Sequence, residues 1–352
     1  MRNTRPPSAS PQTAASGGQP ANGRSPVWLR ALLSEYLVLY ICVLYFLVIL
    51  PFQPGIASAR NLQNTFSNML PLLCVAAGQT VVLITAGIDL SVTAVISMAS
   101  VIGASIMTGD GGLLAGSGWA APAGIAGMLV VGLLLGTVNG GLTAVFKMPP
   151  FIVTLTTQMF FAGFAVWLTQ SEKIYRLPGG FNLIGYGRAF GVPYALLVAG
   201  PVAVAAHFLL TRTLMGRWLY AVGHNPRAAL IAGVPARRVL IFAYAFSGFC
   251  AAAASVLYTA RLETGSPTQG REILLDVVGA VVIGGTSLFG GKGKVIWTVF
   301  GVLLITLIGN SLNMLGLSHF TVMMVKGGVI LLAALIDAVR SRWLASTSTV
   351  VL

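Results

Sequence analysis

The chain has 352 residues, of which 56% are hydrophobic and only 8% are charged, and its mean hydropathy is +0.86. Soluble domains carry about 25% charged residues, so the composition excludes a soluble globular protein and indicates a polytopic membrane protein. The net charge of +13 is not a nucleic-acid signature, because the basic residues follow the predicted sides of the membrane.

Residues 1–34 are rich in Pro, Ser, Gly and Ala and carry no apolar run, which predicts a disordered cytoplasmic tail. They contain no apolar core followed by a small-residue cleavage site, so no removable signal peptide is expected. Residues 35–340 are predicted to form one transmembrane domain, and residues 341–352 a short cytoplasmic tail.

The predicted fold class is an all-α polytopic membrane protein with about ten transmembrane helices. A spanning helix needs ~20 predominantly apolar residues. Ten stretches fit this requirement: 35–52, 66–87, 90–108, 123–146, 150–170, 193–211, 239–260, 273–290, 295–312 and 320–338.

The basic residues indicate how the spans are oriented. With the N-terminus inside, 14 of the 21 Lys and Arg residues lie in cytoplasmic segments, six lie in outer segments, and Lys326 lies within a span. This bias predicts that both termini are cytoplasmic and that the number of spans is even. The three cysteines, Cys42, Cys74 and Cys250, fall in predicted spans without metal-ligand spacing and are expected to be buried apolar residues.

Two pairs of passages have similar patterns. Around Asn139 and around Asn310, a span ends near the Asn, a short turn follows, and a Phe opens the next span. Asp89 and Asp276 each open a span. On the predicted topology the paired spans run in opposite directions, so spans 2–5 and 7–10 would form inverted repeats, which are typical of transporters. Chance similarity between Gly-rich spans is the alternative.

Polar and charged groups inside a bilayer are functional candidates because they are expensive to bury. Asp89 and Asp276 each have two interpretations: capping a helix start or lining a path. Lys326 is expected to pair with a carboxylate across the bundle or to extend toward the interface. Asn139 and Asn310 are expected to join helices by hydrogen bonds or to bind a neutral polar solute.

The segment 212–238 is predicted to be a polar, basic cytoplasmic loop that contains one short helix. Asn225 is a favourable N-cap, Pro226 suits the first helical position, and Gly233 provides a left-handed stop. A capped helix on the cytoplasmic side is expected to contact a partner. The alternative is a helix that only covers the bundle.

The glycine-rich segment 284–293 resembles a phosphate-binding loop but lacks its chemistry, because Gly293 stands where Ser or Thr would bind magnesium. No other catalytic motif is evident. The chain is therefore predicted not to be an enzyme and to have no ATPase site of its own, so energy for transport would come from ions or from a partner.

Seven motifs occur in an order that resembles the membrane permease subunit of bacterial ribose/xylose/galactose-type sugar ABC importers, in the branched-chain amino acid/ribose permease superfamily. The resemblance covers roughly residues 35–340. The motifs are GIDLSV (87–92), NGG (139–141), MPPFIVTL (148–155), GRWLYAVGHNPRAALIAGV (216–234), SGFCAAAASVLYTARL (247–262), LDVVGAVVIGGTSLFGGKG (275–293) and VKGGVILLAALID (325–337).

The resemblance implies a vitamin B12 importer-like fold in the bacterial inner membrane, with two permease copies forming a homodimer. It implies a separate cytoplasmic ATP-binding subunit, which uses ATP and Mg, and a periplasmic sugar-binding protein; no cofactor is expected on this chain. It also implies that the short helix is a coupling helix that docks on the ATPase. The matching residues are Gly223, His224, Asn225, Pro226, Arg227, Ala228, Ala229, Gly233 and Val234.

A neutral sugar is expected to pass through a path of hydroxyls, amides and aromatic rings. The predicted path residues are Thr85, Asp89, Ser91, Asn139, Phe151, Thr154, Gln158, Asp276 and Asn310. One alternative is the same architecture carrying a nucleoside or a branched-chain amino acid. Another is an ion-coupled secondary transporter or channel, for which Asp89 and Asp276 are the only candidate ion ligands.

Overall fold

A computed structural model describes the backbone of residues 36–348 and the side chains of residues 36–335. The chain is divided at Leu37, and the architecture below is that of the unit Val38–Leu352. The tail predicted at 1–34 lies outside the described residues. Of the tail predicted at 341–352, only the backbone through Ser348 is described, and it continues the last helix.

Thirteen α-helices occur in the described residues, together with a 3-10 turn at Pro54–Ala57 and a two-stranded hairpin. The helices are α1 Leu37–Ile49, α2 Ala59–Ile84, α3 Val92–Met107, α4 Ala120–Ala144, α5 Pro150–Leu168, α6 Gly179–Tyr186, α7 Leu196–Arg212, α8 Leu214–His224, α9 Pro226–Ile231, α10 Ala236–Leu262, α11 Leu274–Ile283, α12 Val295–Met314 and α13 His319–Ser348. The hairpin pairs β1 Arg188–Ala189 with β2 Val192–Pro193 and was not predicted from the sequence.

The helices identify an all-α polytopic membrane protein. Among the described residues, α2, α4, α5, α10 and α12 are long and apolar enough to cross a membrane, and α7 with α8 makes a sixth if this bent pair is one span. Helices α1, α3, α11 and the first part of α13 are apolar but shorter. Each of the ten predicted stretches therefore coincides with an apolar helix.

The eighth predicted stretch, 273–290, begins at the right place but extends beyond the end of its helix. Helix α11 ends at Ile283, and Gly285 follows with a φ of +90°. Glycine adopts such left-handed backbone without a steric penalty and commonly ends helices. Residues 284–294 consequently form a loop between α11 and α12.

The prediction that 212–238 is a loop with one helix was also wrong. Helix α8 precedes the short helix, and α7 and α8 meet at a bend of 72°. The Thr213 hydroxyl caps α8 by accepting the Gly216 N–H at 3.0 Å. Leu219 and Val222 are buried on one face of α8, and their spacing of three residues is the amphipathic pattern that draws a helix onto a core.

The centre of the bundle is made by α2 and α10, whose residues between Met69 and Ile84 and between Ala243 and Ala260 are largely buried. The chain there is rich in small side chains, which let helix backbones approach closely in membranes. Helices α3 and α4 pack on one part of this centre, and α11 and α12 pack on another.

The most extensive helix contact is between α4 and α10. Gly132, Gly136 and Gly140 recur every fourth residue on α4 and therefore share one face. A Cβ atom at Gly136 would collide with the backbone carbonyl of Tyr244, and one at Gly140 would lie 2.7 Å from Cα of Ile241. Only glycine permits this backbone-to-backbone approach.

The loops gather at two ends of the bundle. One end, which we call the junction end, contains residues 85–91, 213–235 and 284–294. The Gly291 N–H donates to the carbonyl of Ile84 at 2.8 Å. The described connections between predicted spans 2 and 3, 6 and 7, and 8 and 9 thus share one end, and which end faces the cytoplasm stays a prediction.

The opposite end is built from the segments predicted to lie outside. Ile174 and Gly265 form an antiparallel bridge. Arg188 donates to the side chains of Gln63 and Asn64 at 2.6 and 3.0 Å. The bridge joins the loops that follow α5 and α10, and Arg188 joins the hairpin after α6 to the first turns of α2.

We expect Gly136→Ala to lower the thermal stability of the detergent-solubilised protein, because overpacking a tight helix contact costs about 1–3 kcal/mol. The matched control is Gly141→Ala on the same helix, since no atom lies within 4 Å of its added Cβ. Thermal unfolding followed by fluorescence would compare the two variants. Equal melting temperatures would contradict the importance of the α4–α10 contact.

Candidate functional site: the short helix and the buried polar junction

The predicted short helix is present as α9, and its caps are confirmed. The Asn225 side-chain oxygen accepts the N–H groups of Arg227 and Ala228 at 3.1 and 3.0 Å. Pro226 occupies the first helical position. Gly233 has a φ of +81°, as expected for a left-handed stop.

Two faces of α9 differ in exposure. Ala229 and Val234 are buried in the cluster that contains Leu219 of α8, so they hold the helix on the bundle. Leu230 and Ile231 are instead 67% and 89% exposed. The exposed face of α9 is therefore apolar as well as basic, whereas the sequence predicted a polar, basic segment here.

The nine predicted coupling residues divide into three that are buried and six that are exposed. Gly223 is buried, and an added Cβ there would collide with the Ile84 carbonyl. With Ala229 and Val234, it supports α9 and does not offer its side chain to a partner. The exposed members are His224, Asn225, Pro226, Arg227, Ala228 and Gly233.

Sequence reasoning missed Leu230 and Ile231 as surface residues because apolar side chains are normally assigned to the core. A signal was available in the length of the helix. A helix of six residues has less than two turns, and Ala229 already takes the inward-facing position.

Behind the short helix, Asp89 is fully buried in the turn between α2 and α3. One of its carboxylate oxygens accepts the Ser91 N–H at 3.0 Å and the Ser91 hydroxyl at 2.6 Å. The other accepts the Ser247 hydroxyl of α10 at 2.8 Å. Desolvation by burial raises the pKa of Asp89, and these hydrogen bonds oppose the rise.

The Asp89 turn is hydrogen-bonded to both α4 and α10. The Asn139 amide of α4 donates to the Ser91 hydroxyl at 2.7 Å. The Tyr244 hydroxyl of α10 donates to the Ile88 carbonyl at 3.3 Å. Sequence reasoning missed Ser247 and Tyr244, since both lie far from Asp89 along the chain. We call Asp89, Ser91, Asn139 and Ser247 the buried junction.

Five predicted path residues lie inside the helix bundle. Their exposed fractions are 6% or less, and a side chain must reach solvent to line a path. In this conformation they reach no surface, which favours the capping and helix-joining interpretations for them. The five are Thr85, Asp89, Ser91, Asn139 and Thr154.

The other four predicted path residues are at least partly accessible. Phe151 is 54% exposed. The Gln158 amide donates to the Thr93 hydroxyl at 3.0 Å, and the Asn310 amide donates to the side-chain oxygen of Asn61 at 3.1 Å. The structure does not bring these side chains into one site.

Asp276 is paired with Lys326. The ammonium nitrogen of Lys326 lies 2.7 Å from a carboxylate oxygen of Asp276, and both side chains are 20% exposed. The pairing expected for Lys326 is thereby confirmed, and it links the first turn of α11 to α13. The three cysteines are also buried and free, as expected.

The sequence profile described as "Branched-chain amino acid transport system / permease component" matches residues 61–334. This chain belongs to that family. The matched range includes the short helix, the buried junction and the Asp276–Lys326 pair. No solved structure matches the chain.

Curated relatives with high similarity are named as sugar permeases. The chain is 32% identical to the ribose import permease protein RbsC of Escherichia coli K12, over 91% of this chain and 98% of the relative. It is 36% identical to the ribose import permease protein RbsC of Bacillus subtilis, over 88% and 93%. Identity to the D-allose transport system permease protein AlsC of Escherichia coli K12 is 32%, over 81% and 85%.

We expect Asp89→Asn to reduce both thermal stability and solute uptake. Its amide nitrogen would face a hydroxyl or N–H donor, and an unsatisfied buried polar group costs about 1–3 kcal/mol. Asp110→Asn is the control, because Asp110 pairs with Arg176 at the surface. Uptake by cells and melting of purified protein would be compared, and equal behaviour of the two variants would remove Asp89 from the functional residues.

We expect Asp276→Asn to destabilise the protein by up to about 3–5 kcal/mol, because Lys326 would keep a buried charge without its partner. The double variant Asp276→Asn/Lys326→Met should recover much of this loss. Thermal melts of the single and double variants test the pair. Additive losses in the double variant would contradict a direct interaction.

Proposed function

We propose that this chain is the transmembrane subunit of an ABC importer and forms the path for a monosaccharide. The observation that carries the proposal is the capped helix α9, rigidly seated on the bundle while Arg227, Leu230 and Ile231 face outward. Two relatives are named as a ribose import permease and a D-allose transport system permease, and these names support a sugar as the solute.

Ten spans and the vitamin B12 importer-like fold belong to this proposal. Ten apolar helices at the predicted positions support the span count. Asn139 and Asn310 lie at corresponding places near the ends of α4 and α12, and Phe151 and Phe320 open the helices that follow. These correspondences support the inverted repeat of spans 2–5 and 7–10.

We propose that the junction end faces the cytoplasm and that both termini lie on that side of the inner membrane. Eight basic residues of the described chain lie at this end, against six at the other, and the positive-inside rule favours this orientation. The eight are Lys147, Arg212, Arg217, Arg227, Arg237, Arg238, Lys292 and Lys294.

The proposed partners follow from the exposed surfaces. A separate ATP-binding subunit, which hydrolyses ATP with Mg, would bind α9. A periplasmic binding protein would deliver the sugar to the opposite end. A second permease copy would complete the path as a homodimer. On this proposal the chain itself performs no chemical reaction.

Transport would proceed by alternating access. Closure of the ATP-binding subunits moves α9, and α9 is attached to the bundle through Gly223 and Ala229. Because Gly223 packs on the Ile84 carbonyl, the movement reaches the α2–α3 turn and the buried junction directly. Phe151 and Gln158 on α5 remain path candidates, because they are accessible and suit an uncharged polyhydroxyl solute.

A branched-chain amino acid is the second candidate solute, because the family profile carries that description. Reconstituted vesicles supplied with the partner proteins and either labelled ribose or labelled leucine would separate the two. ATP-dependent uptake of leucine without ribose would overturn the sugar assignment and leave the importer assignment intact. Uptake driven by an ion gradient without ATP would overturn both.

We expect Ile231→Glu and Arg227→Glu to weaken binding of the ATP-binding subunit roughly tenfold or more, because buried interface anchors often contribute 2 kcal/mol or more. The Ile231→Glu substitution would bring a charge into an apolar contact. The matched control is Leu113→Glu, since Leu113 is 82% exposed at the opposite end.

Binding would be measured with purified permease and purified ATP-binding subunit, and thermal melts would verify that each variant is folded. Wild-type affinity in both α9 variants would contradict the coupling role. A comparable loss in the Leu113 variant would show that the effect is not local to α9.

A further inference from the structure

The loop at residues 284–294 lies directly beside α9, and the proposed function does not use it. The Gly291 N–H donates to the Ile84 carbonyl at 2.8 Å. The Tyr220 hydroxyl of α8 donates to the Gly293 carbonyl at 2.6 Å. The position of a Cβ on Gly291 is 3.1 Å from Cα of His224, the residue that precedes the Asn225 cap.

This loop is held in one shape by its glycines. Gly290 and Gly291 have φ angles of +84° and +70°, which side-chain-bearing residues rarely adopt. A Cβ on Gly290 would lie 2.8 Å from both the Gly223 carbonyl and Ala86. The loop is therefore fitted against the α8–α9 connection and the α2–α3 turn.

The tip of the loop exposes a large apolar side chain. Phe289 is 78% exposed, and the adjacent Leu288 is 41% exposed. The backbone N–H of Phe289 donates to the Ser287 hydroxyl at 3.1 Å, so the aromatic ring projects from an ordered turn. Lys292, three residues later, is also exposed.

The Phe289 loop and α9 meet at His224, because Gly291 packs against His224 and α9 begins at Pro226, two residues later. They present Phe289, Leu230 and Ile231 as apolar groups, with Arg227 and Lys292 as cations. Exposed apolar groups bordered by polar residues mark interaction surfaces. Aromatic anchors within a charged rim are typical of protein interfaces.

We propose that the Phe289 loop is a second docking element for the ATP-binding subunit, placed alongside α9. This inference rests on the proposed function and adds a contact that α9 alone does not provide. The occupant is a protein surface with an apolar pocket and an acidic rim, because the loop packs on the α8–α9 connection and exposes Lys292 beside Phe289.

The second contact would also act on α11. The loop starts where α11 ends at Ile283, whereas the α8–α9 segment contacts the end of α2 through Gly223. A displacement of Phe289 therefore reaches α11, and its Asp276–Lys326 pair with α13, without passing through α9. Two docking elements would let one ATP-binding subunit move both regions together.

Photo-crosslinking in the assembled complex tests the location of Phe289. A benzoylphenylalanine would replace Phe289, Ile231 or, as the control at the opposite end, Phe190, which is fully exposed in the β1–β2 hairpin. Crosslinked peptides from the complex in lipid nanodiscs would be identified by mass spectrometry. We expect Phe289 and Ile231, but not Phe190, to label the ATP-binding subunit.

The outcomes separate the two proposals. Labelling of that subunit from Ile231 but not from Phe289 would overturn the second docking element and leave the coupling role of α9 intact. Labelling of lipid alone from Phe289 would identify a membrane-interface residue and also overturn it. Absence of labelling from both positions would overturn the proposed function as well.

Binding measurements give an independent test. We expect Phe289→Ala to weaken binding of the purified ATP-binding subunit to the permease roughly tenfold. The melting temperature of the permease should be unchanged, and Phe190→Ala should have no effect on binding. Unchanged affinity in the Phe289 variant would contradict the proposal. Leu288→Ala, a smaller truncation at the same turn, should show a weaker loss and guards against a folding artefact.

Discussion

Burial of the Asp89 carboxylate is the constraint around which the junction end is organised. A charged or strongly polar group removed from water must have its hydrogen bonds supplied by the protein. Ser91 and Ser247 supply them here, and Asn139 holds Ser91 in place. Because Ser247 and Asn139 come from α10 and α4, the carboxylate determines how these helices meet the α2–α3 turn.

Close backbone packing makes that arrangement possible. The glycines of α4 bring its backbone onto α10, which places Asn139 and Ser247 near the same turn. At the other side of the turn, Gly223 and Gly291 both approach Ile84. The turn is thus the meeting point of the buried junction, the α8–α9 segment and the 284–294 loop, so movement of any of these is transmitted to the others through stiff contacts.

The buried position of most predicted path residues has a consequence for the transport path. Thr85, Ser91 and Thr154 serve the interior of one subunit, and the accessible polar groups lie on the outer faces of helices such as α5. A path formed between two copies of the chain is consistent with this distribution, because each copy would contribute an exposed face and keep its own interior dry.

The membrane class, the positions of the ten apolar helices and the capped helix α9 could all be predicted from the amino-acid sequence. These features depend on local signals: apolar length, charge bias, and an Asn-Pro start with a Gly stop, each readable within a few residues. The end of α11 was predicted wrongly because an apolar run followed by glycines does not indicate at which residue the helix ends and the loop begins.

The packing of the helices was needed to show which polar residues are buried, which partners they bind and which apolar residues stay exposed. Asp89 bonds to Ser247 across 158 residues of chain, and Asp276 to Lys326 across 50. No local pattern encodes such pairings. The exposure of Phe289 could not be predicted for the same reason, since burial depends on what neighbouring elements cover, and that follows from packing across the whole bundle.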